Sequence, residues 1–182
     1  MKKILLYGGT FDPPHLAHVA LPLAAMQLLE FDQVLYVPAH HSPLKDLPHT
    51  SHADRLAMLE LALQDCPWAE ISTIELERGG TSYTIDTIKS LQQEGQVMRL
   101  LIGADQWAQF KEWINWEEIL EIASPAIMPR EGFELSSPRL LQIAPLPAIS
   151  TDIRELLHDG ESVEAFISSE VCAYITEHQL YQ

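Results

Sequence analysis

Lys3-Ile4-Leu5-Leu6-Tyr7-Gly8-Gly9-Thr10-Phe11-Asp12-Pro13-Pro14-His15-Leu16-Ala17-His18 is the stretch from which the fold can be read. Its first five residues form a short β-prone run that stops at two glycines, and a helical pattern follows from about residue 16. A strand therefore enters a tight turn that opens directly into a helix. Glycines at the carboxyl end of a strand let backbone N–H groups approach a ligand with no Cβ in the way, and the next helix aims its N-terminus at the same point. That geometry suits phosphate. The spacing matches neither G-x-G-x-x-G nor G-x-x-x-x-G-K-[ST], so neither a dinucleotide fingerprint nor a P-loop is indicated. His15 and His18 stand three residues apart at the helix start, hence on one face. Taken singly, each histidine reads as a surface group on a solvated turn; beside the glycine turn, the pair reads as jointly facing one anion.

Outward from this segment, β-prone runs at 3–7, 33–38, 70–76, 98–103 and 126–129 alternate with helical periodicity at about 16–31, 52–64, 84–94, 104–110, 116–123, 151–158 and 169–178. Such alternation predicts an α/β fold with a parallel sheet and crossover helices. Ser51, three residues before Asp54, marks a helix start, and Gly95 marks a helix stop. Pro22 conflicts with the first helical pattern, where it removes a hydrogen bond at a cost of roughly 3 kcal/mol, and nothing in the sequence offsets it. The segments 38–52 and 129–147 read as loops.

The 182 residues suffice for one domain, expected to span 1–182, and 47% hydrophobic with 20% charged residues exclude disorder and fibrous repeats. A formal net charge of −15 argues against binding a nucleic-acid polymer, while a small anionic ligand remains compatible if a few cations and N–H donors are focused in one cleft. Cys66 and Cys172 match no metal spacing and suit a reducing cytoplasm. No apolar stretch approaches membrane-spanning length, so no membrane partner is expected. His40, His41, His49 and His52 invite a zinc site, but their spacing gives no helical i,i+4 pair, and an exposed polar loop is the preferred reading. A homo-oligomer is as compatible with the composition as a monomer.

Further blocks join the first: Asp54 to Leu59, Arg78 to Thr87 (RGGTSYTIDT), Gly103-Ala104-Asp105 with Trp113, Ser150 to Arg154, and Tyr174 to His178. Together with GGTFDPPHLAH they make the chain, over nearly its whole length, resemble nucleotidyltransferases with an H-x-G-H motif, and within them the bacterial nicotinate-nucleotide adenylyltransferases. The resemblance implies a Rossmann-like, doubly wound parallel sheet and transfer of AMP from ATP to nicotinate mononucleotide, with Mg²⁺ accompanying ATP. It implies His15, His18 and Arg154 as catalytic residues, and Gly8, Gly9, Thr10, Phe11, Lys45, Gly103, Asp105, Ser150 and Thr151 on ATP. Tyr83, Thr84 and Trp113 fall on the mononucleotide, and no protein metal ligand is expected. Ser150 and Thr151 also read independently as a helix cap that collects hydroxyls and free N–H groups, with Arg154 one turn in; Asp105 reads equally as an ordinary helix cap. Asp12 is expected to order the turn by hydrogen bonding. The chain departs from the family pattern at Ala17, between the histidines, at Leu44, where the family has a histidine, and at Ile149. The rival enzyme reading is pantetheine-phosphate adenylyltransferase, against which the Ser82 to Thr87 block and Trp113 speak. A catalytically silent nucleotide-binding paralogue is the rival outside catalysis.

Overall fold

The computed structural model describes residues 1–43, 49–147 and 149–182. Five strands, β1 (Lys2–Gly9), β2 (Gln33–Pro38), β3 (Ala69–Ile71), β4 (Gln96–Gly103) and β5 (Ala126–Met128), form one sheet in the order β3-β2-β1-β4-β5, every neighbouring pair parallel. The expected Rossmann-like architecture is therefore present. Beyond β3 the chain returns to the middle and adds β4 on the far side of β1, so the order reverses between β1 and β4, where open α/β sheets bind ligands.

Alternation along the strands assigns the two faces. Ile4, Leu6, Leu35, Val37, Leu100 and Ile102 face α4 (Thr84–Leu91) and α6 (Trp116–Ala123), while Leu5, Tyr7, Val34, Tyr36 and Leu101 face α1 (Leu16–Leu29) and α2 (His52–Leu63). A third cluster, around Met58, Ile153, Val171 and Ile175, packs α7 (Ser150–His158) and α8 (Ser169–Glu177) on the outside of α2. Ser51 caps α2, its hydroxyl accepting from Asp54 N–H at 3.1 Å. Among the described residues, no helix is long and apolar enough to cross a membrane.

Three expectations change. The strand expected over 70–76 stops at Ile71, and 74–78 coils into α3 (Ile74–Arg78), because turning there buries Ile74 against the core and Glu75 beneath α4. The helix expected over 104–110 is α5 (Ala104–Ala108) followed by a 3₁₀ turn at Phe110–Glu112. The helix ahead of Gly95 already ends at Leu91, and Gly95, at φ +80°, serves the turn into β4. Within the 129–147 loop, Leu141 N–H donates to Ile127 O, which ties that segment to the sheet edge.

Pro22 lies inside α1 and is buried, and the structure supplies what the sequence does not. The carbonyl deprived of its N–H partner is that of His18, four residues earlier, and the fully buried Tyr36 donates its hydroxyl to that oxygen at 2.9 Å. Tyr36→Phe keeps the ring packing but strands a part-buried carbonyl, at an expected cost of about 1–3 kcal/mol. Pro22→Ala in the Tyr36→Phe background restores an N–H and is expected to recover most of that loss. Urea midpoints at constant m-value read both effects; an unchanged midpoint in Tyr36→Phe contradicts the replacement bond.

Candidate active site

The turn after β1 is held by side chains from remote parts of the chain. Arg55, fully buried in α2, donates to Thr10 O at 2.8 Å; Arg154 donates to Asp12 O at 2.7 Å; Ser150 Oγ donates to Pro13 O at 3.0 Å. The Asp12 carboxylate does not order its own turn locally, as the sequence suggests. Its Oδ2 accepts from His49 N–H at 2.6 Å, and its Oδ1 accepts from the hydroxyls of Thr50 at 2.7 Å and Tyr181 at 2.6 Å.

The two glycines differ in what they permit. A Cβ on Gly9 would stand 2.9 Å from the Phe11 ring, which a φ of +53° folds back over the strand end, whereas Gly8 has its nearest neighbour at 3.9 Å. Phe11 in turn presses on His18 edge to face, with ring centroids 5.1 Å apart. The His15 and His18 rings stack at 3.6 Å, and His15 N–H donates to His18 Nδ1 at 3.2 Å, which puts the proton of a neutral His18 on Nε2. Burial, and then the nearby Arg130, push the His15 imidazole down to about 3, so at neutral pH it is uncharged and acts as a hydrogen-bonding ring. Its buried Nδ1 has no partner among the described residues.

Ser150 and Thr151 are not the cap expected of them: Ile149 occupies the cap position, and the two hydroxyls lie in the first turn of α7, with Thr151 Oγ accepting from Arg154 at 3.2 Å. The reason is that Ser150 is drawn to the Pro13 carbonyl rather than to its own helix. Asp105 is likewise no cap. Gly103 holds that position, its N–H donating to Gln106 Oε1, while Asp105 pairs with Arg130 and keeps a buried Oδ1 with no partner among the described residues. A Cβ on Gly103 would reach to 2.4 Å from that oxygen. Arg130, in the segment read as a plain loop, was not anticipated.

Two cavities open along the carboxyl ends of β1 and β4. One, of about 490 Å³, has a mostly apolar lining that includes Val37, Ile102, Trp113 and Ile114, together with Tyr83 and Thr84. The other, of about 770 Å³, is lined by Phe11, Asp12, His15, His18, Gly103, Arg130, Ser150, Thr151 and Arg154. Gly8, Gly9, Thr10, Pro43, Asp105 and Gln106 line both, so the cavities are two halves of one groove at the reversal of strand order. Every site residue expected from the sequence lines this groove except Lys45, which with Leu44 lies outside the described residues.

A cytidylyltransferase-like family model matches residues 6–168. Proteins named for nicotinate-nucleotide adenylyltransferase activity from Herpetosiphon aurantiacus and Bordetella avium are 37% and 38% identical, each aligned over 100% of this chain and 99% of its own length. The chain belongs to the nicotinate-nucleotide adenylyltransferase family. The Plasmodium falciparum nicotinic acid mononucleotide adenylyltransferase solved with NaAD shares the fold, with a TM-score of 0.84 at 21% identity over 100% of this chain and 98% of that one.

Within this family member, the three tryptophans near α5 and α6 separate by position. Trp107, Trp113 and Trp116 all pack around Phe110, but only Trp113 lines the apolar cavity. The first turn of α4 is braced from below: Thr87 Oγ1 donates to the buried Glu75 at 2.5 Å and accepts from Arg78 at 3.1 Å. Ala17 is buried and lines neither cavity, so its methyl does not narrow the groove. Of the four histidines read as an exposed polar loop, His49 and His52 are exposed as expected, and the other two are not. His40 and His41 are half-buried, the His40 ring stands 3.9 Å from that of His52, and His40 N–H donates to Ser82 Oγ. Among the described residues, no group of three His, Cys, Asp or Glu side chains is assembled for a metal ion.

Proposed function

We propose that the polar half of the groove takes the triphosphate of ATP and the apolar half takes nicotinate mononucleotide, so that AMP passes to the 5′-phosphate of the mononucleotide. Nicotinate adenine dinucleotide and pyrophosphate leave, a step of NAD biosynthesis. The observation that carries this reading is the shared wall from Gly8 to Thr10 with Asp105, which lets two nucleotides meet end to end at one point. The attacking phosphate oxygen is ionised at neutral pH and needs no general base, so the chain has only to align the reactants and stabilise charge.

In this division of labour His18 donates from Nε2 to the α-phosphate as charge develops there. His15 supports the His18 ring and offers its buried Nδ1 side to a phosphate oxygen. Arg154, Ser150 and Thr151 hold the leaving pyrophosphate, with Lys45 as a further cation. Asp105 takes the adenosine side. Thr84 and Tyr83 present α4 N–H groups, and Trp113 its ring, to the pyridine.

ATP-dependent nucleotidyl transfer generally runs with a divalent metal, and the donor set fits magnesium that arrives on the triphosphate: Asp12 already accepts three hydrogen bonds and Asp105 is paired with Arg130. When bound, magnesium neutralises oxygens of the departing pyrophosphate. The reading treats 1–182 as one catalytic unit working in the cytoplasm.

Pyrophosphate release from MgATP, measured with nicotinate mononucleotide, nicotinamide mononucleotide and phosphopantetheine in turn, tests the assignment. Fastest turnover is expected with nicotinate mononucleotide. Preference for phosphopantetheine would transfer the chain to the rival enzyme class, and no release with any acceptor would make it a silent paralogue.

A further inference from the structure

We infer that Tyr181 is a positioning residue for the phosphate end of the groove, holding the Asp12 turn against Arg154; the inference rests on the placement of the triphosphate proposed above. Tyr181 lies beyond α8, outside the Tyr174 to His178 block and 169 residues from Asp12, yet its hydroxyl donates to Asp12 Oδ1 at 2.6 Å. Asp12 is buried, and its carboxylate is held by three neutral donors, from His49, Thr50 and Tyr181, with no ion-pair partner within 4 Å among the described residues. A buried carboxylate supported only by neutral hydrogen bonds is sensitive to the loss of any one of them.

A second observation is independent of that bond. Tyr181 sits at φ +64°, in the left-handed region that bulky side chains avoid. A strained backbone persists where its side chain is needed in one place, and here that place is Asp12. Burial, and then the neighbouring Asp12 charge, hold the Tyr181 phenol well above its ordinary range, so it remains a donor throughout the working pH.

The same residue, Asp12, connects the bond to the chemistry. Its carboxylate receives Tyr181, and its own carbonyl receives Arg154 Nη1 at 2.7 Å. α7, which carries Arg154 and Ser150, shares the outer apolar cluster with α8 and with Tyr181 itself. The hydroxyl therefore closes a ring from the α7–α8 layer, through the turn, and back to the guanidinium. Opening that ring lets the turn and Arg154 drift relative to the triphosphate while the apolar half of the groove, built from other elements, stays in place.

Tyr181→Phe keeps the ring and removes the hydroxyl. The expected result is a fall of about tenfold in kcat/KM for ATP, in keeping with the sensitivity of positioned phosphoryl chemistry to small displacements, while KM for the pyridine mononucleotide stays within about twofold. The same substitution in an Arg154→Ala background is expected to have little further effect, since the two act as one unit. Thr50→Val, which removes the other hydroxyl from the same carboxylate oxygen, is expected to move the same parameter and carries the test if Tyr181→Phe does not fold. An unchanged kcat/KM for ATP overturns the inference. So does a rise in KM shared equally by both substrates, or a loss of the same size with and without Arg154, because these describe a general structural tie. Should Arg154→Ala alone leave ATP kinetics unchanged, the placement of the triphosphate falls and the inference with it; intact Tyr181→Phe kinetics beside a crippled Arg154→Ala overturn only the inference.

Discussion

His18→Ala is expected to lower kcat by about 10² or more while leaving the folded state nearly as stable as before. The ring is only half-buried, so its loss opens no large core cavity. What disappears is a donor oriented by contacts that include His15 N–H at its Nδ1, the stacked His15 ring, and the edge contact with Phe11. Such pre-oriented donors act on charge that appears during transfer, so the loss falls on turnover more than on ATP binding. The partner histidine differs in kind, because burial keeps His15 neutral at working pH and its contribution is geometric until a phosphate arrives. Steady-state kinetics on a folded His18→Ala protein check the role, and near-normal turnover would remove it.

Nicotinate mononucleotide is expected to exceed its amide counterpart in kcat/KM by about 5- to 150-fold, the equivalent of roughly 1–3 kcal/mol for buried donors left unpaired. Tyr83 occupies the cap position of α4, and the N–H groups of Tyr83 and Thr84 lie ahead of any intrahelical acceptor at the positive helix end. A carboxylate accepts from both. An amide must turn its NH₂ towards them or flip and lose a bond. The bracing of Thr87 by Glu75 and Arg78 keeps this turn from relaxing towards the amide. Trp113 lines the apolar cavity, where the proposed stacking would serve either ring alike, so Trp113→Ala is expected to weaken both substrates and preserve their ratio. Equal efficiency with the two mononucleotides would refute recognition by the helix end even with adenylyl transfer intact.

Local signals account for much of this site. Gly8 to His18 is contiguous, and a strand, a turn and a helix start in one run of residues determine by themselves that the two histidines share a face beside a strand end. The RGGTSYTIDT and Gly103-Ala104-Asp105 blocks are equally compact. Arg55 was legible in principle, since it falls on the same helical face as Met58, Leu59 and Leu63, and an arginine in an apolar stripe must find buried acceptors. Arg130 and Tyr181 carry no such local mark, because their partners, Asp105 and Asp12, are 25 and 169 residues away.

What the amino-acid order alone determined is whatever depends on neighbours within a turn or two: the period of most elements, the alternating faces of β1, β2 and β4, the cap at Ser51 and the glycine turn that opens into α1. The tertiary structure decided where local preference is weak or contradicted. The run at 70–76 has the composition of a strand, but the edge of the sheet offers pairing only as far as Ile71, and burying Ile74 and Glu75 requires a helix. Pro22 is unfavourable in any isolated helix and is accommodated only because Tyr36, on another strand, supplies the missing donor. Ser150 would cap its own helix in isolation but bonds instead to a carbonyl 137 residues away. In each case a long-range partner outbids the local one, since a buried polar group left unpaired costs more than a preference of a few tenths of a kcal/mol.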